Sequence, residues 1–335
     1  MGTDNKPTKK RIKWIDLAKG FCIALVVLSH IAEFLSTDYP LSVQAKSFRM
    51  PLYFILSGLF FKEYDGFMGF LKRKTNKLLI PFVFFTLFTG FLPYFILNLD
   101  IIQPISLFFH KGIIVLNEPI WFLMCLFKVN LLFYCMQWLS AKISAKYNLF
   151  IVIGLSLVLG IIGLILGARH IDLLFYTDTA LTALPLFAFG WWLFRHTNFT
   201  KCPINWIRDL AIIIVCAIIV YYFAEPVIWF SNNMPPTRLW SVYLCGVSGT
   251  IMILLISKLL TYVPLISYWG RYSIIVLCTH CPVMTVVAAL LYHLEGGMTK
   301  LLIVFIITMI ICTVLIYLMK RFMPHVTAQK DVIKV

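Results

Sequence analysis

The sequence predicts an all-α polytopic integral membrane protein with about ten transmembrane helices and both termini in the cytoplasm. Hydrophobic residues make up 61% of the 335 residues, charged residues make up only 13%, and the mean hydropathy is +0.90. A soluble domain of this size cannot hide so much apolar surface, so lipid is the expected solvent. The lipid bilayer is therefore the first partner that the composition implies.

Apolar runs long enough to span a bilayer recur along the whole chain. They lie near 14–35, 48–62, 78–98, 119–140, 148–167, 173–194, 207–224, 240–260, 270–292 and 300–319. The expected division is a basic cytoplasmic N-terminus over 1–13, one transmembrane domain over 14–320 and a cytoplasmic tail over 321–335.

The basic residues lie mostly on one side of this predicted arrangement. That side holds Lys6, Lys9, Lys10, Arg11, Lys13, Lys62, Lys72, Arg73, Lys74, Lys77, Lys142, Lys146, Arg195, Lys201, Arg208, Lys258, Arg271, Lys320, Arg321, Lys330 and Lys334. The other side holds only Lys46, Arg49, Lys111, Arg169, Arg238 and Lys300. The asymmetry follows the positive-inside rule and predicts cytoplasmic termini. The net charge of +15 then reflects topology, and no nucleic-acid partner is expected.

The nine cysteines predict neither a disulfide framework nor a metal site. Their number is odd, and eight of them fall within predicted spans. Cys278 and Cys281 flank His280, but the sequence offers no second ligand pair. Small apolar helix residues are the better interpretation.

The first span, WIDLAKGFCIALVVLSHIAEF over 14–34, carries charged and polar side chains that a simple membrane anchor does not need. Lys19 and His30 are eleven residues apart, close to three helical turns, so they share one face about 16 Å apart along the axis. Glu33, three residues beyond His30, falls on that face too. The first helix thus predicts a site with Lys19 at one end and with His30 and Glu33 at the other.

Two further polar residues fall within apolar spans. Lys128 is expected to pair with a carboxylate such as Glu33 or Asp16, or to face a hydrated cavity. His280, on the ninth span, is interpreted as a buried side chain bonded to a neighbouring helix, with catalysis as the alternative. Prolines within spans, such as Pro282, free backbone carbonyls that must find other partners.

Three connections on the predicted outer side carry polar and aromatic residues. The connection over 100–118 is amphipathic and is expected to lie on or dip into the bilayer. Those over 168–178 and 225–238 are rich in Asp, Asn and aromatic residues, which suit a polyhydroxylated ligand. Ordinary interfacial aromatics and turn residues are the alternative interpretation.

Five motifs in order along the chain resemble those of the membrane acyltransferase 3 family. They are DLAKG with VVLSH in the first span, RMPLYFILSG at 49–58, WFLMCLF at 121–127, ALPLFAFGWWLF at 183–194 and YWGRYSIIVLCTHCPV at 268–283. The resemblance implies an O-acyltransferase of the fucose 4-O-acetylase or surface-polysaccharide type, which moves an acyl group from cytosolic acyl-CoA to a sugar outside. Acetyl-CoA is the implied co-substrate, succinyl is the second acyl candidate, and no metal is implied.

The resemblance assigns the catalytic group to the first two spans. His30 matches the essential histidine and would take the proton of the acceptor hydroxyl, with Glu33 or a neighbouring helix orienting its ring. A transient acyl-imidazole on His30 is the alternative route. Arg49 stands where many relatives carry His and cannot act as a base, so Arg49 or Ser57 is expected to stabilise the oxyanion.

The cofactor-binding candidates are cations expected to meet the acyl-CoA near the inner face. They are Lys19, which matches a position often held by Arg in the family, and Lys72, Arg73, Lys74, Lys77 and Lys128. The implied acceptor is a saccharide or glycolipid, polysaccharide-assembly proteins are possible partners, and the expected location is the cell (inner or plasma) membrane. A proton-coupled transporter and a polysaccharide export subunit remain the alternative functions.

Overall fold

A computed structural model describes residues 11–97, 99–111, 116–226 and 230–334, the side chains at 110 and 111 excepted. Three of the basic residues predicted before the first span, Lys6, Lys9 and Lys10, lie outside these ranges. Within them the chain forms helices, turns and bends and no extended β-strand. The predicted all-α class is therefore confirmed.

Twelve α-helices follow one another in the described residues. They are α1 Lys13–Phe34, α2 Ser42–Leu59, α3 Gly66–Ile96, α4 Ile102–Lys111, α5 Trp121–Ile143, α6 Asn148–Ala168, α7 Thr177–Arg195, α8 Trp206–Phe223, α9 Ser241–Leu260, α10 Pro264–Arg271, α11 Ser273–Leu290 and α12 Met298–Phe322. Helix α3 contains two π-helical segments, Thr75–Leu79 and Thr86–Phe91. A short 3-10 turn, Glu118–Ile120, leads directly into α5.

Eight helices in the described part of the chain are long and apolar enough to cross a membrane: α1, α3, α5 with its preceding turn, α6, α8, α9, α11 and α12. The chain is therefore a multi-pass membrane protein. The predicted second and sixth spans correspond to α2 and α7, helices of 18 and 19 residues that fall outside this set. The total of ten spans and the cytoplasmic placement of both termini stay predictions.

The helices divide into an interior group and a lipid-facing group. In α1 and α5, 61% of the most apolar window is buried against other helices, whereas in α8 only 17% is buried. The polar side chains of the first span belong to the interior group, where neighbouring helices can pair them. Long aliphatic side chains cover the exposed faces of α6, α8 and α12, as expected where lipid is the solvent.

Glycines in two of the sequence motifs allow helices to cross at backbone distance. A Cβ on Gly270 of α10 would lie 1.8 Å from the carbonyl oxygen of Asp16 in α1. A Cβ on Gly190 of α7 would lie 1.9 Å from the carbonyl oxygen of Ile55 in α2. Both crossings exclude any larger residue, as is common where membrane helices approach closely. They fix α1 and α2 against the rest of the bundle.

The backbone carbonyl that the proline of α11 leaves without its helical N–H donor is hydrogen-bonded by a side chain from the connection before α5. Pro282 has no N–H for the carbonyl of Cys278, four residues earlier. Asn117 is fully buried and donates its side-chain N–H to this oxygen at 2.7 Å. The bond ties the start of α5 to α11, and so places Glu118 and Trp121 beside the first helix.

Candidate functional site

A small pocket of about 40 Å³ lies at the Glu33 end of α1 and is called here the His30 pocket. It is lined by His30, Glu33, Lys46, Arg49, Met50, Glu118, Trp121, Phe230 and Ser231. Helices α1 and α2 contribute most of its charged groups, as the three- and four-residue spacings on a helix allow. Three of the four predicted catalytic residues therefore share one pocket.

Glu33 is the centre of the charge arrangement in this pocket. Its carboxylate lies 2.9 Å from Lys46 Nζ and 3.8 Å from Arg49 Nη2. The second carboxylate oxygen lies 3.7 Å from His30 Nδ1. Because Lys46 and Arg49 hold the carboxylate, it presents a fixed negative charge to one edge of the imidazole. Lys46 is a functional candidate that the sequence did not indicate. It lies on α2 three residues before Arg49, and so on the same face of that helix.

Arg49, which lines the pocket, has one guanidinium nitrogen without a hydrogen-bond partner among the described residues. Its side chain is 11% exposed, and its Nη1 is buried with no hydrogen-bond partner in the described part of the chain. A buried N–H donor without a partner is costly unless a ligand supplies the acceptor. The Arg49 backbone carbonyl accepts a hydrogen bond from Cys22 Sγ at 2.8 Å, which fixes α2 against α1.

A second pocket of about 120 Å³ surrounds Lys19, and we call it the Lys19 pocket. Lys19, Tyr53, Ser57, Leu78, Phe122, Leu123, Leu126, Ser273, Ile274 and Leu277 line it. Lys19 Nζ lies 4.2 Å from the centre of the Phe60 ring, a cation–π contact. Ser57 belongs to this pocket and not to the His30 pocket, so the structure does not bring it to His30. The eight residues from Arg49 to Ser57 correspond to about 12 Å along α2, which is why the two separate.

Neighbouring residues on two helices line the two different pockets. Trp121 lines the His30 pocket, and the next residue, Phe122, lines the Lys19 pocket. On α2, Met50 lines the first and Tyr53 the second, less than one turn apart. The Tyr53 and Phe122 rings touch, with centroids 5.5 Å apart. The two polar ends predicted for α1 thus each lie in a pocket, and Tyr53 and Phe122 pack together in the wall of the Lys19 pocket.

His280 lies behind His30, outside both sets of lining residues. It is fully buried, and its ring centroid is 5.4 Å from that of His30. The predicted hydrogen bond to a neighbouring helix is wrong. His280 Nδ1 lies 2.9 Å from the carbonyl oxygen of Val276, one turn earlier in the same helix. Sequence spacing could not reveal the contact with His30, because the two histidines are on different helices.

The sequence predicts five basic residues in the loop between the second and third spans. Lys62 lies in the connection between α2 and α3, whereas Lys72, Arg73, Lys74 and Lys77 lie on helix α3 and its first π-helical segment. Two of them are engaged by the C-terminal tail. Asp331 lies 3.0 Å from Lys77 Nζ and 3.6 Å from Arg73 Nη1. Lys72 and Lys74 have no carboxylate partner among the described residues, and Lys74 Nζ lies 5.5 Å from the Phe70 ring.

The tail is held on α3 by Asn76, which is almost completely buried. Its side-chain oxygen accepts hydrogen bonds from the backbone N–H groups of Val332 and Ile333, each at 2.9 Å. Its side-chain N–H donates to the Ile333 carbonyl at 2.8 Å. The tail therefore sits directly over two of the predicted cofactor-binding cations. Two residues beyond Asn76 on the same helix, Leu78 lines the Lys19 pocket.

Lys128 does not pair with Glu33 or Asp16, and that prediction is wrong. Its Nζ donates to the Leu174 carbonyl at 2.7 Å and to Thr177 Oγ1 at 2.5 Å. Its flexible side chain reaches from α5 to the segment before α7, because backbone and hydroxyl oxygens are available there. Asp16 is bound by Arg11 in two hydrogen bonds of 2.5 and 2.8 Å. Lys128 lines neither the His30 pocket nor the Lys19 pocket.

A third, polar pocket of about 220 Å³ adjoins the His30 pocket. It is lined by His170, Asp172, Leu173, Tyr176, Asp178, Ser231, Asn232 and Met234, and we call it the Asn232 pocket. Ser231 lines both pockets, and the Tyr176 ring packs on Trp121 with centroids 5.6 Å apart. The two connections that the sequence indicated as suited to a hydroxyl-rich ligand therefore meet beside His30.

The comparison with known families identifies the chain. A family profile described as an acyltransferase domain, that of acyltransferase family 3, matches residues 12–317. The chain belongs to this family, and the predicted resemblance is confirmed. As a multi-pass protein of an acyltransferase family, it is a membrane acyltransferase. No curated protein and no solved structure matches the chain.

Proposed function

We propose that this protein moves an acetyl or similar short acyl group from acyl-CoA, bound at the cytosolic face, to a saccharide hydroxyl on the opposite face of the cell membrane. The observation that carries the proposal is that neighbouring residues on α2 and on α5 line the Lys19 pocket and the His30 pocket. With this arrangement the thioester end of the pantetheine arm can reach His30 from the Lys19 pocket. The charged phosphates of CoA stay on their own side, and so avoid the cost of entering the membrane interior.

The Lys19 pocket is the proposed donor site. Its apolar walls suit a thin pantetheine arm, and Lys19 with the hydroxyls of Ser57 and Tyr53 can bind its polar groups. Basic residues at the nearby end of α3 suit the phosphates, because charge-assisted hydrogen bonds to phosphate are strong. The positive-inside distribution favours the cytosol for this end.

The His30 pocket is the proposed reaction centre. His30 Nε2 takes the proton of the acceptor hydroxyl while Glu33 stabilises the Nδ1 side of the ring. The acceptor oxygen forms a bond to the thioester carbon, and the resulting oxyanion accepts a hydrogen bond from Arg49 Nη1. The carbon–sulfur bond then breaks, and the CoA thiolate takes the proton from His30. No metal ion takes part in this scheme.

The Asn232 pocket is the proposed acceptor site. Its amide, hydroxyl and carboxylate groups match the hydroxyls of a sugar, and the nearby aromatic rings offer flat surfaces for sugar stacking. Because Ser231 belongs to both pockets, a sugar bound there can place one hydroxyl at His30. The acceptor class proposed is thus a saccharide or a lipid-linked saccharide.

The test is release of free thiol from acetyl-CoA by the purified full chain in detergent, with and without a saccharide extract. Wild type is expected to turn over. His30→Ala is expected to lose about 10²- to 10⁴-fold of the rate, the usual contribution of a general base. The exposed His293, in the connection after α11, provides the matched control His293→Ala, which should keep wild-type turnover. If the wild type neither binds acetyl-CoA saturably nor releases thiol from it, the proposal is contradicted and a transporter is favoured.

A further inference from the structure

The C-terminal tail is bound to helix α3 by contacts that the proposed reaction does not use. The side-chain oxygen of Asn76 accepts the backbone N–H groups of Val332 and Ile333, and its side-chain N–H donates to the Ile333 carbonyl. Lys77 Nζ donates to the Ala328 carbonyl at 2.7 Å. Chain ends are usually poorly ordered unless they are tied down, so these contacts give the tail a defined position on α3.

The tail brings an anion to two cations of α3. The Asp331 carboxylate lies 3.0 Å from Lys77 Nζ and 3.6 Å from Arg73 Nη1. The three side chains are 30–40% exposed, so solvent screens both ion pairs and each contributes little to stability. A phosphate has more negative charge and more acceptor oxygens than a carboxylate, and it forms strong charge-assisted hydrogen bonds with such cations. A phosphate can therefore replace Asp331 at this pair.

The same stretch of α3 also reaches the Lys19 pocket. Asn76 and Lys77 contact the tail, and the next residue, Leu78, lines the pocket. All three belong to the π-helical segment Thr75–Leu79, and such segments often occur at functional sites. In the proposed function the pantetheine arm fills this pocket, so the phosphates at the other end of the donor emerge beside the cations that hold the tail. The tail and the donor phosphates then compete for one place on α3.

We propose that the tail is an internal ligand of the donor site, and that a phosphate group of acyl-CoA displaces it from Arg73 and Lys77. The inference rests on the proposed function, which places the donor in the Lys19 pocket. Two anions at one pair of cations repel each other, so the Asp331 carboxylate leaves when the phosphate binds. Because Val332 follows Asp331 directly in the chain, this departure also opens the backbone hydrogen bonds to Asn76. Only ion pairs and hydrogen bonds are exchanged, and no covalent bond changes.

Hydrogen exchange of the purified full chain in detergent tests the displacement. The amides of Val332 and Ile333 are hydrogen-bonded to Asn76 and are protected while the tail is bound. CoA carries the phosphates of its acyl ester, and at saturation it is expected to speed exchange in the C-terminal peptide by about tenfold or more. Pantetheine, which has the arm but no phosphate, is the matched probe and should leave this exchange unchanged. Unchanged or slower exchange with CoA bound would overturn the inference, and so would an equal increase with pantetheine.

A variant of the tail tests the competition from the other side. Ile333→Pro removes one N–H that Asn76 accepts and changes no residue of α3. Ile333 is exposed, so the change leaves the folded core intact. The weaker attachment should lower the Kd for CoA by about two- to fivefold, with a smaller gain at high salt. Ile333→Ala keeps the N–H and is the matched control, with a Kd close to that of wild type. A higher or unchanged Kd in Ile333→Pro would contradict the competition.

These outcomes are separable from those of the proposed function. If the wild type binds CoA and releases thiol from acetyl-CoA while exchange in the tail stays unchanged, only the displacement is rejected. If the wild type neither binds CoA nor releases thiol, both are rejected.

Discussion

The two pockets along α1 differ in charge and in size. The His30 pocket holds two cations, two carboxylates and an imidazole in about 40 Å³. The Lys19 pocket is about 120 Å³ and has one charged side chain among hydroxyls and apolar walls. Fixed charges in a small space stabilise charge that develops during a reaction, because they need no rearrangement. A larger, mostly apolar space instead suits a flexible chain. The His30 pocket is therefore suited to the reaction, and the Lys19 pocket to holding the acyl donor.

Among variants that test the contrast between the two pockets, Arg49→Gln should cause the largest change in kcat. Removing a preorganised oxyanion donor is expected to lower kcat by about 10²- to 10³-fold with little change in KM for acetyl-CoA. Thiol-release kinetics with purified full chain would measure it. Lys46→Gln is the matched control on the same helix face, because Lys46 contacts Glu33 and is expected to cost less than tenfold. Equal losses in both variants would contradict an oxyanion role for Arg49.

Lys19→Met should have a smaller effect, which should fall on KM and not on kcat. Loss of a charged donor in the Lys19 pocket is expected to raise KM for acetyl-CoA by roughly tenfold and to leave kcat within about threefold. Ser57→Ala, in the same pocket, should change KM by less because a neutral hydroxyl is a weaker partner. A pure loss of kcat in Lys19→Met would place Lys19 in the chemistry and remove the contrast between the pockets.

Asp331→Asn should have the smallest effect and should improve binding. The Asp331 carboxylate forms ion pairs with Arg73 and Lys77. Its replacement by a neutral amide removes these pairs, so both cations can bind CoA phosphates. We expect KM for acetyl-CoA to fall by about two- to fivefold at low ionic strength, with the gain shrinking as salt screens the charges. The exposed Glu295, between α11 and α12, gives the control Glu295→Gln, for which no change is expected. A higher KM in Asp331→Asn would show that the tail supports the donor site.

Helical periodicity predicted the contacts within single helices well. His30 and Glu33 lie together, and Lys19 lies in a separate pocket toward the other end of α1, because a helix fixes the direction of its side chains. The family resemblance, by contrast, grouped Ser57 with Arg49, and the structure places Ser57 in the Lys19 pocket. Eight residues of helix α2 keep them in different pockets.

Contacts between helices could not be predicted from one sequence. Asn117 and Cys278 are separated by 161 residues, and Asn76 and Ile333 by 257. The partner of Lys128 and the contact between His30 and His280 also depend on how helices pack. Hydropathy indicates that a polar group in a span needs a partner, but many carboxylates and carbonyls satisfy that need equally well.

The presence of two separate pockets along α1 has an electrical consequence. A charge that crosses a membrane does work of about 2.3 kcal/mol for each elementary charge and 100 mV. In the proposed reaction the phosphates of CoA stay on one side. The acyl group passes outward from the thioester while the proton of the acceptor hydroxyl passes through His30 to the CoA thiolate, so no net charge crosses. Transfer of the acyl group would then neither consume the membrane voltage nor be driven by it. Acylation of the cell surface would continue in a depolarised cell as long as acyl-CoA is supplied.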